Sequence, residues 1–251
     1  MGLQYKEAAI AGLSTQFFWG LLYAFLYKSF YSHTNIKSIN YGELMCYVWL
    51  TQTFFAMILI TIKDHNITTM IKDGSVAFEL CRPYNLYFWW YMRLLSKRYA
   101  AVTLRSIPIL IFAFIIPKPY GLMLPISIEA FIVFIITLLL GSFLVVGISM
   151  LIQCISFFTI EDRGVAGIVC TLGDLLSGFQ LPIPLLPLFL INITKYLPFR
   201  FIGDLPFRIY SGNIAIDYTL ILWQIFWIIT LIIIGNLVLK IALRKVVIHG
   251  G

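Results

Sequence analysis

Between Ile126 and Phe158 the chain holds a single charged residue, Glu129, in a run that is otherwise almost wholly apolar. A helix needs roughly 20 apolar residues to cross about 30 Å of hydrocarbon, so this run exceeds one crossing. It can tilt, or its far end can project from the bilayer. Shorter runs of the same kind cover about Ala8 to Tyr27, Leu44 to Ile62, Ala100 to Ile116, Val165 to Gly178 and Tyr218 to Leu239. Hydrophobic residues make up 61% of the chain and charged ones 12%, against about 45–50% and 25% in soluble domains. Too few polar side chains remain to cover a water-facing surface, whereas lipid tolerates an apolar exterior. The expected fold is an all-α integral membrane protein of about six spans, forming one transmembrane domain over residues 1–251. No cleavable secretory pattern is expected at the N-terminus, because the first apolar run is long enough to stay in the bilayer.

Loop charge orients the spans. With the N-terminus inside, the inner segments carry Lys6, Lys63, Lys72, Arg82, Arg93, Lys97, Arg98, Arg163, Lys240, Arg244 and Lys245. The outer segments carry Lys28, Lys37, Lys118, Lys195, Arg200 and Arg208. The excess favours both termini in the cytoplasm. The net charge of +7 then reflects anionic lipid on that side rather than nucleic acid. Trp89, Trp90 and Tyr91, and Tyr27, Phe30 and Tyr31, are placed to anchor at the two interfaces.

Reactive groups are sparse. His33, His65 and His249 fall outside the spans, which argues against an intramembrane zinc site. The sequence has no HExxH, no GxSxG and no P-loop, so work driven by a nucleotide needs a separate subunit. Cys46, Cys81, Cys154 and Cys170 show no metal or disulfide spacing and read as small buried hydrophobes.

Charges within spans cost free energy and are therefore informative. Arg105 lies in the third span and Asp174 in the fifth, at similar depth. They are expected to pair, either as a lock between two helices or as an ion relay. Two midplane polar sets, Ser14, Thr15 and Gln16 in the first span and Thr51, Gln52 and Thr53 in the second, either bond another helix or line a substrate path.

The segment from Lys63 to Arg98 is long for an inner loop. Gly74 suggests a turn and Ser75 a helix cap, while Pro83 disfavours helix at Arg82. A helix of about two turns fits between them. Val76, Leu80 and Phe78 are its apolar contacts, with Glu79 and Arg82 exposed. Such a helix either docks a cytoplasmic partner or lies on the membrane surface.

The pattern from Gly74 to Pro83, with Val76, Leu80 and Arg82 at its fixed positions, resembles the membrane subunits of type-2 ABC exporters. The bacterial branch with about six spans is the most similar. The stretches Leu176 to Pro184 and Tyr196 to Gly212 also resemble that branch, in which a broken, partly re-entrant outer segment follows the fifth span. The resemblance implies a permease that works with a second permease, identical or related, under two ABC ATPase subunits. ATP and Mg2+ would bind in those subunits, with no cofactor in this chain. The loop from Ser75 to Pro83 would carry their motion into the spans, and the first, second and fifth spans would line the path. The location implied is the bacterial inner membrane. One departure is that only Met1 to Glu7 precede the first span, too few for the surface helix many relatives carry. Two other classes stay open: a secondary transporter coupled through Arg105 and Asp174, and a polytopic membrane enzyme.

Overall fold

The computed structural model describes residues 6–33, 38–61, 64–158 and 163–244. Lys37, Lys63 and Lys245 of the charge balance, His249 and residues 1–5 lie outside them. Within them the chain forms α1 (Lys6–His33), α2 (Tyr41–Thr53), α3 (Phe55–Ile58), α4 (His65–Lys72), α5 (Val76–Leu80), α6 (Leu86–Ile115), α7 (Ile128–Ile155), α8 (Arg163–Leu176), α9 (Leu188–Thr194), α10 (Asp204–Ser211) and α11 (Tyr218–Leu243). Short 3-10 turns cover Ile183–Leu185 and Pro198–Phe201. Three helices, Leu86–Ile115, Ile128–Cys154 and Tyr218–Leu243, are long and apolar enough to cross a membrane.

Helix α7 is the centre of the molecule. It starts where the Ser127 side chain accepts from the Ala130 amide, a side-chain cap. It packs along α11 and also against α10, α6 and α3. A helix surrounded in this way has no need of a polar face. Its few polar groups tie neighbours together. Gln224 of α11, fully buried, donates from Nε2 to the carbonyls of Thr137 and Phe201, both at 2.9 Å. The 3-10 turn and α11 are thus stitched to α7 at one point.

Close packing on α7 depends on Gly141. A Cβ there would stand 2.6 Å from the Ile202 carbonyl oxygen and 3.0 Å from that of Phe201. Backbone cannot step aside as a side chain can. Gly141→Ala is expected to destabilise the protein by about 1–3 kcal/mol, the usual cost of overpacking. Gly164→Ala, where nothing lies within 4 Å, is the silent control. Equal thermal midpoints for the two variants in detergent would refute this.

The helix boundaries depart from the apolar runs in two places. The third run was expected to begin at Ala100, but α6 begins at Leu86. Asn85 caps it by accepting from the Phe88 amide, and Trp90, Tyr91, Leu94 and Leu95 then bury one face in the core. The inner loop is correspondingly shorter, and Arg98 is not a solvated loop charge but 2% exposed. The second run was expected to be continuous to Ile62, but α2 ends at Thr53 and α3 at Ile58, with Phe54 outside helical geometry. The hydroxyls of Thr51 and Thr53 donate to the carbonyls four residues earlier, at 2.8 Å each. Such back-bonding bends helices.

Two ends of the bundle can be told apart. At one end the Tyr218 hydroxyl donates to Glu129, which joins the starts of α11 and α7. There too Asn213 bridges Arg208 to Glu43, at 2.7 Å on each side, and Glu43 accepts from the Asn40 amide. Gly178, with φ of +79°, turns the chain out of α8 toward this end, and the segment from Ile183 to Ser211 fills it with short pieces. Loop α4–α5 lies at the other end with the start of α6. Of the cysteines, Cys46, Cys154 and Cys170 are buried, as expected, and Cys81 is exposed.

Candidate coupling loop and membrane groove

The α4–α5 loop is braced before it presents anything. Asp64 caps α4 by accepting from the Asn66 amide. Its carboxylate also receives Lys97 Nζ at 2.6 Å and Arg93 Nε at 2.9 Å, both from α6. Burial opposes ionisation of Asp64, but the Lys97 hydrogen bond and the two positive charges outweigh it and hold the carboxyl below its ordinary range. The brace therefore stays ionised at physiological pH. Gln153 of α7 donates to the Asp64 carbonyl, a third attachment.

Helix α5 follows a turn with Gly74 at φ of +75°. Ser75 was expected to cap the helix, but its side chain points backward. Asp73 accepts from both the amide and the hydroxyl of Ser75, at 2.9 and 2.6 Å, so the carboxylate fixes the turn. Val76, expected as a docking contact, is fully buried in this chain's own core and anchors the helix. Glu79, expected to be exposed, is drawn in by Arg82 at 3.6 Å and by the Tyr84 hydroxyl. Tyr84 in turn lies 5.2 Å from the Trp89 ring on α6. What remains exposed is Phe78, 75% exposed, and Leu80, 47% exposed, flanked by exposed Arg82 and Pro83.

Above this loop the chain leaving α3 is clamped from two sides. Arg98 of α6 donates to the carbonyls of Leu59 and Ala56, at 2.6 and 3.2 Å, and to Ser149 Oγ at 2.9 Å. Asp174 of α8 accepts from the Ile60 amide at 2.9 Å and the Thr61 hydroxyl at 2.6 Å. The positive charge acting on Asp174 is that of Arg98. Among the described residues Arg105 and Asp174 form no ion pair, so the expected pair is replaced by this clamp. The sequence hid it because Arg98 looked like one more inner cation.

Arg105 instead faces a groove beside α1. One face of that helix, at Gly12, Gln16, Trp19, Tyr23, Tyr27 and Phe30, follows helical spacing and lines the groove throughout. Gln52 and Phe55 face it from α2 and α3, and Phe179 and Gln180 from the turn after α8. Beside Arg105 the groove holds a cavity of about 330 Å3. Of the midplane polar residues, Thr15, Gln16 and Gln52 line this cavity, and Thr51 and Gln52 line a smaller recess next to it. Thr53 is 2% exposed and bonded to its own helix. Phe17 packs on Phe112 and Phe54 on Phe134, while Phe18 faces outward. Tyr23, Phe179 and Gln180 were not singled out by the sequence. The helical spacing from Gln16 to Tyr23 was the signal available.

These features define a helical membrane protein with a braced knob at one end and a polar-floored groove open to one side. The chain belongs to the family described as ABC-2 family transporter protein, whose profile matches residues 17–250. It is a transmembrane permease of the ABC transporter type. No curated protein and no solved structure matches it with significant similarity.

Proposed function

We propose that this chain is the permease subunit of an ATP-driven exporter in the bacterial inner membrane. It hydrolyses no ATP itself. Two ABC ATPase subunits dock from the cytoplasm, and a second permease, identical or related, closes the substrate path. The reading takes α1, α2 with α3, α6, α7, α8 and α11 as six spans with both termini cytoplasmic. The segment after Gly178 re-enters the membrane from the outer side.

The observation that carries the reading is the pair Phe78 and Leu80. Two apolar side chains stand exposed on a helix of one and a half turns, while Val76, Glu79 and Tyr84 brace that helix from behind. A passive surface helix has no need of such stiffness, whereas a lever does. The clamp of Arg98 and Asp174 links the loop's root to α8, which leads into the groove. An ion-driven alternative loses its motive, because the couple of Arg105 and Asp174 on which it rested is not formed.

Orientation can be tested without mutation. Cys81 is the one exposed cysteine and sits in the loop assigned to the cytoplasm. In intact cells a membrane-permeant maleimide is expected to label the wild-type protein at Cys81, and an impermeant one is not. Labelling of Cys81 by the impermeant reagent would invert the topology. Copurification of an ATPase with P-loop and signature motifs tests the assembly, and a homogeneous complex without one would sink the exporter reading.

A further inference from the structure

The two arginines in the middle of α6 differ in one respect. Arg98 is held by three oxygens. Among the described residues Arg105 has no hydrogen-bond or ion-pair partner, and its half-buried guanidinium lines the 330 Å3 cavity. Ten residues separate it from the end of α6 at Ile115, so it sits about 15 Å into the helix from the outer end. A cation at that depth is costly unless something compensates it. Gly12 makes room for it, since a Cβ there would stand 3.3 Å from the guanidinium carbon.

A second polar group in the cavity also lacks a partner. Gln16 is 6% exposed, and its Oε1 is buried with no donor in reach. Buried polar atoms are normally satisfied, so an orphan at a cavity wall marks a place that a ligand completes. Around these two, Trp19, Phe55 and Phe179 supply apolar wall. We propose that the groove binds an amphipathic anion, with its carboxylate or phosphate on Arg105, a hydrogen-bond donor near Gln16 and an apolar body along the aromatic wall.

A second identical copy is a poor source of the counter-charge. Glu43, Glu129 and Asp217 sit at helix starts at one end, and Asp64, Asp73 and Glu79 sit in the loop at the other. Asp174 and Asp204, the other carboxylates whose side chains are described, are engaged within their own chain. We assign the anion to cargo or to a lipid headgroup, which share the same chemistry. Among the described lining residues Arg105 is the one cation, and this matters for transport. One charge contact with neutral amides beside it holds an anion without trapping it. The inference rests on the exporter reading for its meaning but not for its test.

The purified complex in nanodiscs of zwitterionic phosphatidylcholine can be titrated with 11-(dansylamino)undecanoic acid and with its uncharged amide, read by energy transfer from tryptophan. The acid is expected to bind about tenfold tighter than the amide, as a charge-assisted contact implies. Arg105→Gln should abolish that preference while leaving the amide's affinity in place, and Arg105→Lys should keep part of it. Displacement of the acid by added phosphatidylglycerol would identify the bilayer as the source of the anion, and resistance to it would identify cargo. Equal affinity for acid and amide in the wild type overturns the proposal, and this comparison holds even if the variant fails to fold. It also falls if Arg105→Gln changes the oligomeric state and leaves the preference intact. An acid preference in a protein that never copurifies with an ATPase would instead retire the exporter reading and leave the anion site standing.

Discussion

Phe78→Asp should yield a protein that inserts, folds and melts like the wild type but purifies without ATPase subunits and exports nothing. Phe78 is 75% exposed and lies outside the buried core, so the substitution removes no core residue. In the docked complex the aspartate would meet the apolar pocket that receives the ring, and burying an unpaired charge there is expensive. Aromatic anchors at interface centres typically contribute about 2–4 kcal/mol, a factor of thirty or more in affinity. Leu80→Asp acts the same way from the next exposed position. Val76→Asp is different in kind, because Val76 is fully buried, and it should reduce folded yield before docking is ever tested. The contrast separates a docking surface from a structural helix. A normal complement of ATPase on the Phe78→Asp permease would remove α5 from the coupling path.

Arg98→Met should cost the fold itself, by about 3–5 kcal/mol, the range for breaking a buried charged network from one side. The Leu59 and Ala56 carbonyls and Ser149 Oγ lose their donor, and Asp174 loses the positive charge near it. Asp174→Asn should be milder, because an amide oxygen can still accept from the Ile60 amide or the Thr61 hydroxyl. Paired substitution at both positions should cost less than the sum of the two single changes, since each single change strands the other charge. Folded yield by fluorescence size exclusion and thermal midpoint in detergent report both quantities. Additive effects would mean that the two side chains act on the α3 exit independently.

Much of the architecture was legible in the sequence. The run ending near Phe158 became α7 within three residues of its expected bounds, and the run from Tyr218 became α11. A membrane helix satisfies its own backbone, so length and hydropathy suffice to locate it. The break after α8 was also legible, because Gly178 and three prolines within ten residues cannot continue a helix. Hydropathy misplaced the start of α6. Residues such as Arg93 and Lys97 read as loop, yet they are carried on helix by the buried neighbours Trp90, Tyr91 and Leu94 and by the Asp64 carboxylate between them.

What the sequence by itself determined was where the long apolar helices fall and where the short exposed helix α5 lies. Apolar run length, cation placement and the short pattern from Gly74 to Pro83 are local quantities, and local quantities survive folding. Which charge meets which was decided only in three dimensions. Arg98 and Arg105 are seven residues apart on one helix, about two turns, and no local property distinguishes them. The bend at Phe54 brings the α3 exit under Arg98 and Asp174, while Gly12 lets α1 approach Arg105 without supplying a carboxylate. Depth in a helix can be counted along the chain, but the partner across the helix depends on rotation and crossing. Those are fixed by close contacts such as Gly141 on the Ile202 carbonyl, where a single missing Cβ sets how near two segments come.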